Sequence, residues 1–182
     1  MLSRLAAAAA PFVIAGAAFA AGGEKPVERE YPVYPPAPAG QSAAAAAAKS
    51  EGCLTCHTKT DAPTMHEGVA LNLGCVDCHG GNAQVGRNPA DEPGSPAYMA
   101  ALTMSHVLPK YPRSWNWPSS ANPERSYVLL NKESPEFVRF VNPGDYRVAR
   151  EACGACHMEQ IQAAERSIMA TSAMLWGGAA YN

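Results

Sequence analysis

The chain has 182 residues, a length that suits one domain with room for a flexible lead. It carries 14 Lys and Arg against 16 Asp and Glu, and this mild acidity lacks the basic stripe that a nucleic-acid partner requires. With 15 Gly and 16 Pro, long regular elements and a large conventional core are also disfavoured.

Residues 1–20 read as a Sec signal peptide. Arg4 forms a basic n-region, Leu5 to Phe19 an apolar run, and Ala18-Phe19-Ala20 an A-x-A cleavage site. A single Arg in place of a twin-Arg pair points away from the Tat route. Cleavage removes only Arg4 among the charged residues, leaving 13 Lys and Arg against 16 Asp and Glu, a formal charge of −3. No other segment approaches a run of roughly 18 apolar residues. The expectation is an exported protein of the periplasm or cell surface, with no membrane span in the mature chain.

Residues 21–49 form the next unit. The Pro-rich stretch from Tyr31 through Pro38 predicts an extended, polyproline-like lead, placed on the surface or against a partner. Ser42 as N-cap before six alanines predicts a short helix. Residues 50–182 form the main domain. Loops and single helical turns are expected over 52–81, ended by Gly80-Gly81. Residues 82–96 read as a loop, and Ala97 to His106 as a short helix. Pro109, Pro112 and Pro118 then interrupt the chain around Trp115 and Trp117. Ser126 to Leu130 and Glu136 to Val141 predict short strands or isolated turns at most. Asn142-Pro143-Gly144-Asp145 is a turn signal. Tyr146 to His157 reads as helical, and Glu159 to Leu175 as the clearest helix, stopped by Gly177-Gly178. The fold class is therefore mainly α with extensive loops and little or no β-sheet.

The chemistry lies in three copies of C-x-x-C-H: Cys53 and Cys56 with His57, Cys75 and Cys78 with His79, Cys153 and Cys156 with His157. They use all six cysteines. The pattern reads as three covalently bound c-type haems, each held by two thioethers with the adjacent His as proximal iron ligand. Such haems would supply much of the apolar interior and organise the fold. A zinc ribbon is the sharpest rival, since the first four cysteines match its spacing. It leaves Cys153 and Cys156 without partners and gives the three histidines nothing to do. A disulfide framework suits export but does not account for a His after every pair.

Five histidines are present, so His66 and His106 remain after the proximal three. Both are candidate distal ligands, because two imidazoles give a six-coordinate iron that changes little on electron transfer. Three haems need six axial ligands, one more than the histidines supply. Met169 and Met174, placed on the helix after the third motif, are the most reachable thioethers; ordinary packing, an open position or a ligand from another chain are the other outcomes. Trp115, Trp117, Tyr127, Phe137 and Phe140 are expected to pack on the porphyrins. Arg113, Arg125, Arg139, Arg147 and Arg150 are expected either to pair with propionates or to stand as solvated surface charge.

On the three motifs, the export signal and the spare histidines, residues 50–182 resemble the multihaem c-type cytochromes of bacteria. Glu133 to Ala149 and Arg166 to Gly178 also look like segments of large respiratory members of that group. The resemblance implies closely packed haems in a fold with little regular structure. It also implies a chain that is either a whole protein or a piece of a longer one. The leading expectation is an electron carrier, not an enzyme, that links a membrane quinol oxidase or dehydrogenase to a terminal acceptor. A multihaem reductase with one open site is the second reading. A haem subunit or self-associating protomer of a larger complex or filament is the third.

Overall fold

The computed structural model describes residues 24–58, 66, 71–115 and 127–172. The signal peptide, Trp117, Arg125, Met174 and the segment from 173 onward lie outside the described residues, as does the Tyr127 side chain.

Among the described residues five helices carry the fold: α1 (Ala43–Ala48), α2 (Cys75–His79), α3 (Pro96–Ser105), α4 (Pro135–Val141) and α5 (Ala149–Glu165). Single 3₁₀ turns occur at Cys53–Thr55 and Pro112–Ser114, and a longer one at Tyr127–Lys132. No β-sheet forms among the described residues. The mainly helical, loop-rich class is as expected.

Local chemistry explains most boundaries. Ser42 caps α1, its hydroxyl accepting the Ala45 N–H at 3.1 Å. Ser95 caps α3 and Ser134 caps α4 in the same way, each followed by Pro at the first helical position. The helix at α4 replaces the strand or turn expected over Glu136 to Val141. The Ser-Pro start outweighs the β-branched and aromatic content that suggested otherwise. The third motif sits inside α5, where His157 departs from helical geometry (φ −118°, ψ 23°) and kinks the helix. α5 also ends at Glu165, well short of Leu175. The Ser167 and Thr171 side chains bond nearby backbone, offering the chain an alternative to the helix. Met169, expected on a helix, therefore lies in turns with its residue 75% exposed.

The core is small: Val107, Trp115, Leu130, Phe137, Val138 and Val148 form its buried centre. Trp115 and Phe137 pack edge to face with ring centres 5.1 Å apart. Both belong to the protein's own buried cluster. Glu133 lies buried beside it and accepts three N–H bonds: Lys110 N at 2.6 Å, Tyr111 N at 3.0 Å and Trp115 Nε1 at 2.8 Å. Three donors on one carboxylate offset its desolvation.

The Pro-rich lead is a strap across this core. Tyr31 and Tyr34 pack against the cluster. The strap donates from Val27 N to the Lys110 carbonyl at 2.8 Å, from Arg29 to that of Pro109 at 2.7 Å and from the Tyr31 hydroxyl to that of Leu108 at 2.9 Å. Glu24 accepts from Arg113 N and the Ser114 hydroxyl, both at 2.8 Å. An extended segment cannot satisfy its own backbone, so it borrows partners from the loop at 108–115.

Candidate functional site

The three C-x-x-C-H motifs converge around α2. Cys75 N donates to the Ser50 hydroxyl at 2.9 Å, and Val76 N to the Lys49 carbonyl at 3.3 Å, which ties the second motif to the segment just before the first. α2 packs on α4 and on α5, which carries the third motif. None of the six cysteines is in a disulfide, and each is half-buried or exposed. A hydrogen bond between Cys53 and Cys75 pushes the Cys53 thiol up and draws that of Cys75 down. Burial, and then the proximity of Cys153, push the Cys78 thiol up. The second motif thus meets the first through Cys75 and the third through Cys78.

The histidines pair across the motifs. His57 faces His106 with ring centres 6.2 Å apart and planes inclined by 45°. His66 faces His157 at 6.1 Å and 30°. Each pair joins one motif histidine to one of the two spare histidines. A metal–imidazole bond is about 2 Å long and the ring centre lies about 1 Å behind the ligating nitrogen, so two imidazoles on opposite sides of one metal have centres about 6 Å apart. Burial, and then the charge of His57, hold the His106 imidazole down to about 4. His106 is therefore neutral at physiological pH, the form that binds metal.

His79 stands apart from both pairs. Its Nδ1–H donates to the Phe140 carbonyl at 2.7 Å. A carbonyl only accepts, so the proton is on Nδ1 and Nε2 is left as the ligating atom. Phe140 also packs its ring 5.0 Å from His106 and 6.5 Å from His79, between the first and second motifs. The glycines after His79 let these parts approach. A Cβ at Gly81 would lie 2.8 Å from the Ser105 carbonyl oxygen, and one at Gly80 2.6 Å from the Tyr34 ring. Gly81 also has φ +84°, which favours glycine.

No protein-family model, curated protein or solved structure matches this chain.

The residues fit a haem on an observation separate from the motif spacing, namely the two imidazole pairs. Exposed Leu54, Met104 and Met158 within or near the paired segments offer apolar surface suited to a porphyrin face. Among the described residues no group of three or more His, Cys, Asp or Glu forms a cage for a bare metal ion.

Four of the five arginines singled out in the sequence lie among the described residues, and each has protein partners. Arg113 pairs with Glu24 at 3.5 Å, Arg147 with Asp145 at 2.7 Å, and Arg150 with Glu165. Arg139 is 4% exposed and donates to four backbone carbonyls: Cys78 at 3.0 Å, Asp77 at 2.8 Å, Tyr34 at 3.0 Å and Pro35 at 2.9 Å. Sequence reasoning missed this clasp of strap to motif. Nothing in a lone Arg among apolar residues distinguishes four carbonyl partners from one propionate.

Beside it, Asp77 is buried and accepts from Lys49 at 2.6 Å, Gln41 at 2.6 Å and Gly74 N at 2.8 Å. Burial raises its pKa, but Lys49, the Gly74 N–H and Gln41 outweigh that and hold the carboxyl below its usual value.

Proposed function

We propose that this protein is an exported trihaem c-type cytochrome that carries electrons between a respiratory donor and a terminal acceptor. The observation that carries the reading is the pairing of His57 with His106 and of His66 with His157 at the separation that spans one metal ion. Each bound haem would supply one-electron iron chemistry, Fe(III) taking up an electron to become Fe(II). The chain's part is to fix and insulate the irons. Cys53 and Cys56, Cys75 and Cys78, Cys153 and Cys156 anchor the porphyrins. His57, His79 and His157 would bind the irons of the three motifs, and His106 and His66 would add a second imidazole at the first and third sites. The contacts through Cys75 and Cys78 support an order in which the second site lies between the other two. A redox protein, either a membrane quinol oxidase or a larger multihaem assembly, is the partner this chemistry requires.

The test is the intact mass of the exported protein with an electron paramagnetic resonance spectrum of the oxidised form. Three covalent porphyrins and two low-spin bis-imidazole signals are expected. A mass without porphyrin, or with zinc in its place, overturns the reading.

A second reading rests on His79, which has no imidazole opposite it because all five histidines are assigned. A reductase would use such a position to bind a small oxyanion or nitrogen species. High-spin iron that binds nitrite or carbon monoxide would favour it, and fully low-spin iron inert to both would dismiss it.

A further inference from the structure

We propose that Arg139 is a positioning residue that holds the middle redox site, on Cys75, Cys78 and His79, at the highest reduction potential of the three. The inference rests on the trihaem reading and adds a direction to it.

Two independent observations lead to the same site. The first is ligand accounting. His106 lies against His57 and His66 against His157, so both spare imidazoles belong to the outer sites. The middle site has His79 and a sixth position that no histidine fills. Two imidazoles are the stronger donor set and favour Fe(III), so they hold the outer sites low, whereas the middle site lacks the second imidazole.

The second is charge. Arg139 is buried and bonded to the carbonyls of Cys78 and Asp77, both inside the middle motif. Its other two partners are strap carbonyls. None of these four acceptors is a carboxylate. The nearby Asp77 carboxylate is engaged by Lys49, Gln41 and the Gly74 N–H instead. A buried cation is weakly screened, and it favours the iron state with one positive charge fewer. The hydrogen bond from His79 to the Phe140 carbonyl acts in the opposite sense by making the imidazole a stronger donor. It is a dipole, and Arg139 sets a full charge against it.

The redox step is simple to balance. One electron leaves a ferrous outer site, which becomes ferric, and enters the ferric middle site, which becomes ferrous. No atom moves. A respiratory reductant supplies the electron at one end and an oxidant removes it at the other. The middle site then fills first and holds its electron until the acceptor takes it.

The experiment is a potentiometric titration of the full-length holoprotein, followed optically and by electron paramagnetic resonance. His66→Met and His106→Met each raise the midpoint of one outer site and so assign it. The unassigned midpoint belongs to the middle site and is expected to be the highest in the unmodified protein. Arg139→Gln should lower that midpoint most, while Arg139→Lys, which keeps the charge, should largely restore it. If His66→Met or His106→Met moves the wild-type protein's highest midpoint, the proposal is wrong, and that result needs no Arg139 variant to fold. Equal shifts at all three sites in Arg139→Gln, or no rescue by Lys, also overturn it. A protein without porphyrin would instead remove the trihaem reading itself.

Discussion

The Phe140 carbonyl and the His79 imidazole share a hydrogen bond of 2.7 Å across 61 positions of sequence. Phe140 lies in the last turn of α4, whose terminal carbonyls have no partner within the helix. One of them finds its donor in His79 and fixes that ring's tautomer. The side chain of the same residue packs against His106. The backbone of Phe140 therefore serves the second site, while its ring packs between the two, closer to His106 (5.0 Å) than to His79 (6.5 Å).

That division predicts the effect of Phe140→Ala. The carbonyl stays, so His79 should keep its geometry. The lost ring should loosen His106 and cost about 2–3 kcal/mol as a partly buried aromatic truncation. Denaturant unfolding measures the cost. Magnetic circular dichroism should show altered ligation chiefly at the first site, whose His106 lies nearer the ring, and a change confined to the middle site would refute this assignment of roles.

Gly81→Ala addresses the same junction from the other side. The new Cβ would meet the Ser105 carbonyl at 2.8 Å and the Phe140 ring at 3.2 Å, on a backbone with φ +84°. Ser105 immediately precedes His106 and accepts the Asn82 N–H at 2.8 Å. The expected outcome is a loss of about 1–3 kcal/mol from backbone strain, with the His57–His106 site turning partly high-spin. A fully low-spin spectrum at unchanged stability would show that the close approach does not hold His106.

Glu133→Gln tests the buried carboxylate beside the core. An amide has one acceptor oxygen, which can keep Tyr111 N and Trp115 Nε1, but its NH2 would face the Lys110 N–H that now donates at 2.6 Å. A buried donor left without an acceptor, together with weaker neutral bonds, should cost about 2–3 kcal/mol. The chemical-denaturation midpoint should fall with an unchanged slope. A shift worth under about 1 kcal/mol would mean that the loop at 108–115 does not depend on this charge.

The motif residues, the N-cap at Ser42 and the poverty of sheet were legible because each is encoded within a few residues. The starts of α3 and α4 were equally local, in Ser95-Pro96 and Ser134-Pro135, but β-branched and aromatic content drew the reading of the second away from helix. The end of α5 was harder. Its Ala, Ile, Met and Leu content continues past Glu165, and the Ser167 and Thr171 side-chain bonds decide against it. The pairing of His66 with His157 and the four-carbonyl clasp of Arg139 were not legible at all. Both depend on segments far apart in sequence, and a single chain gives no periodic trace of such contacts.

Asp77 gives a pH dependence with a definite sign. Burial raises its pKa, but the Lys49 ammonium, the Gly74 N–H and Gln41 lower it further, so in the folded protein it lies below the usual 3.8. A carboxyl with a depressed folded pKa binds its proton more readily in the unfolded chain. Its contribution to stability is therefore complete above the unfolded value and disappears as pH falls through that value toward the folded one. Stability of the holoprotein should decline below about pH 4. Because Lys49 and Gln41 tie Asp77 to the segment ahead of the first motif, the loss should open the junction between the first two motifs before the core melts. Asp77→Asn should be less stable at neutral pH and should lose its share of the acid sensitivity. Unfolding midpoints of the two proteins between pH 3 and pH 7 should converge as the pH drops, and parallel curves would show that this carboxylate does not control the junction.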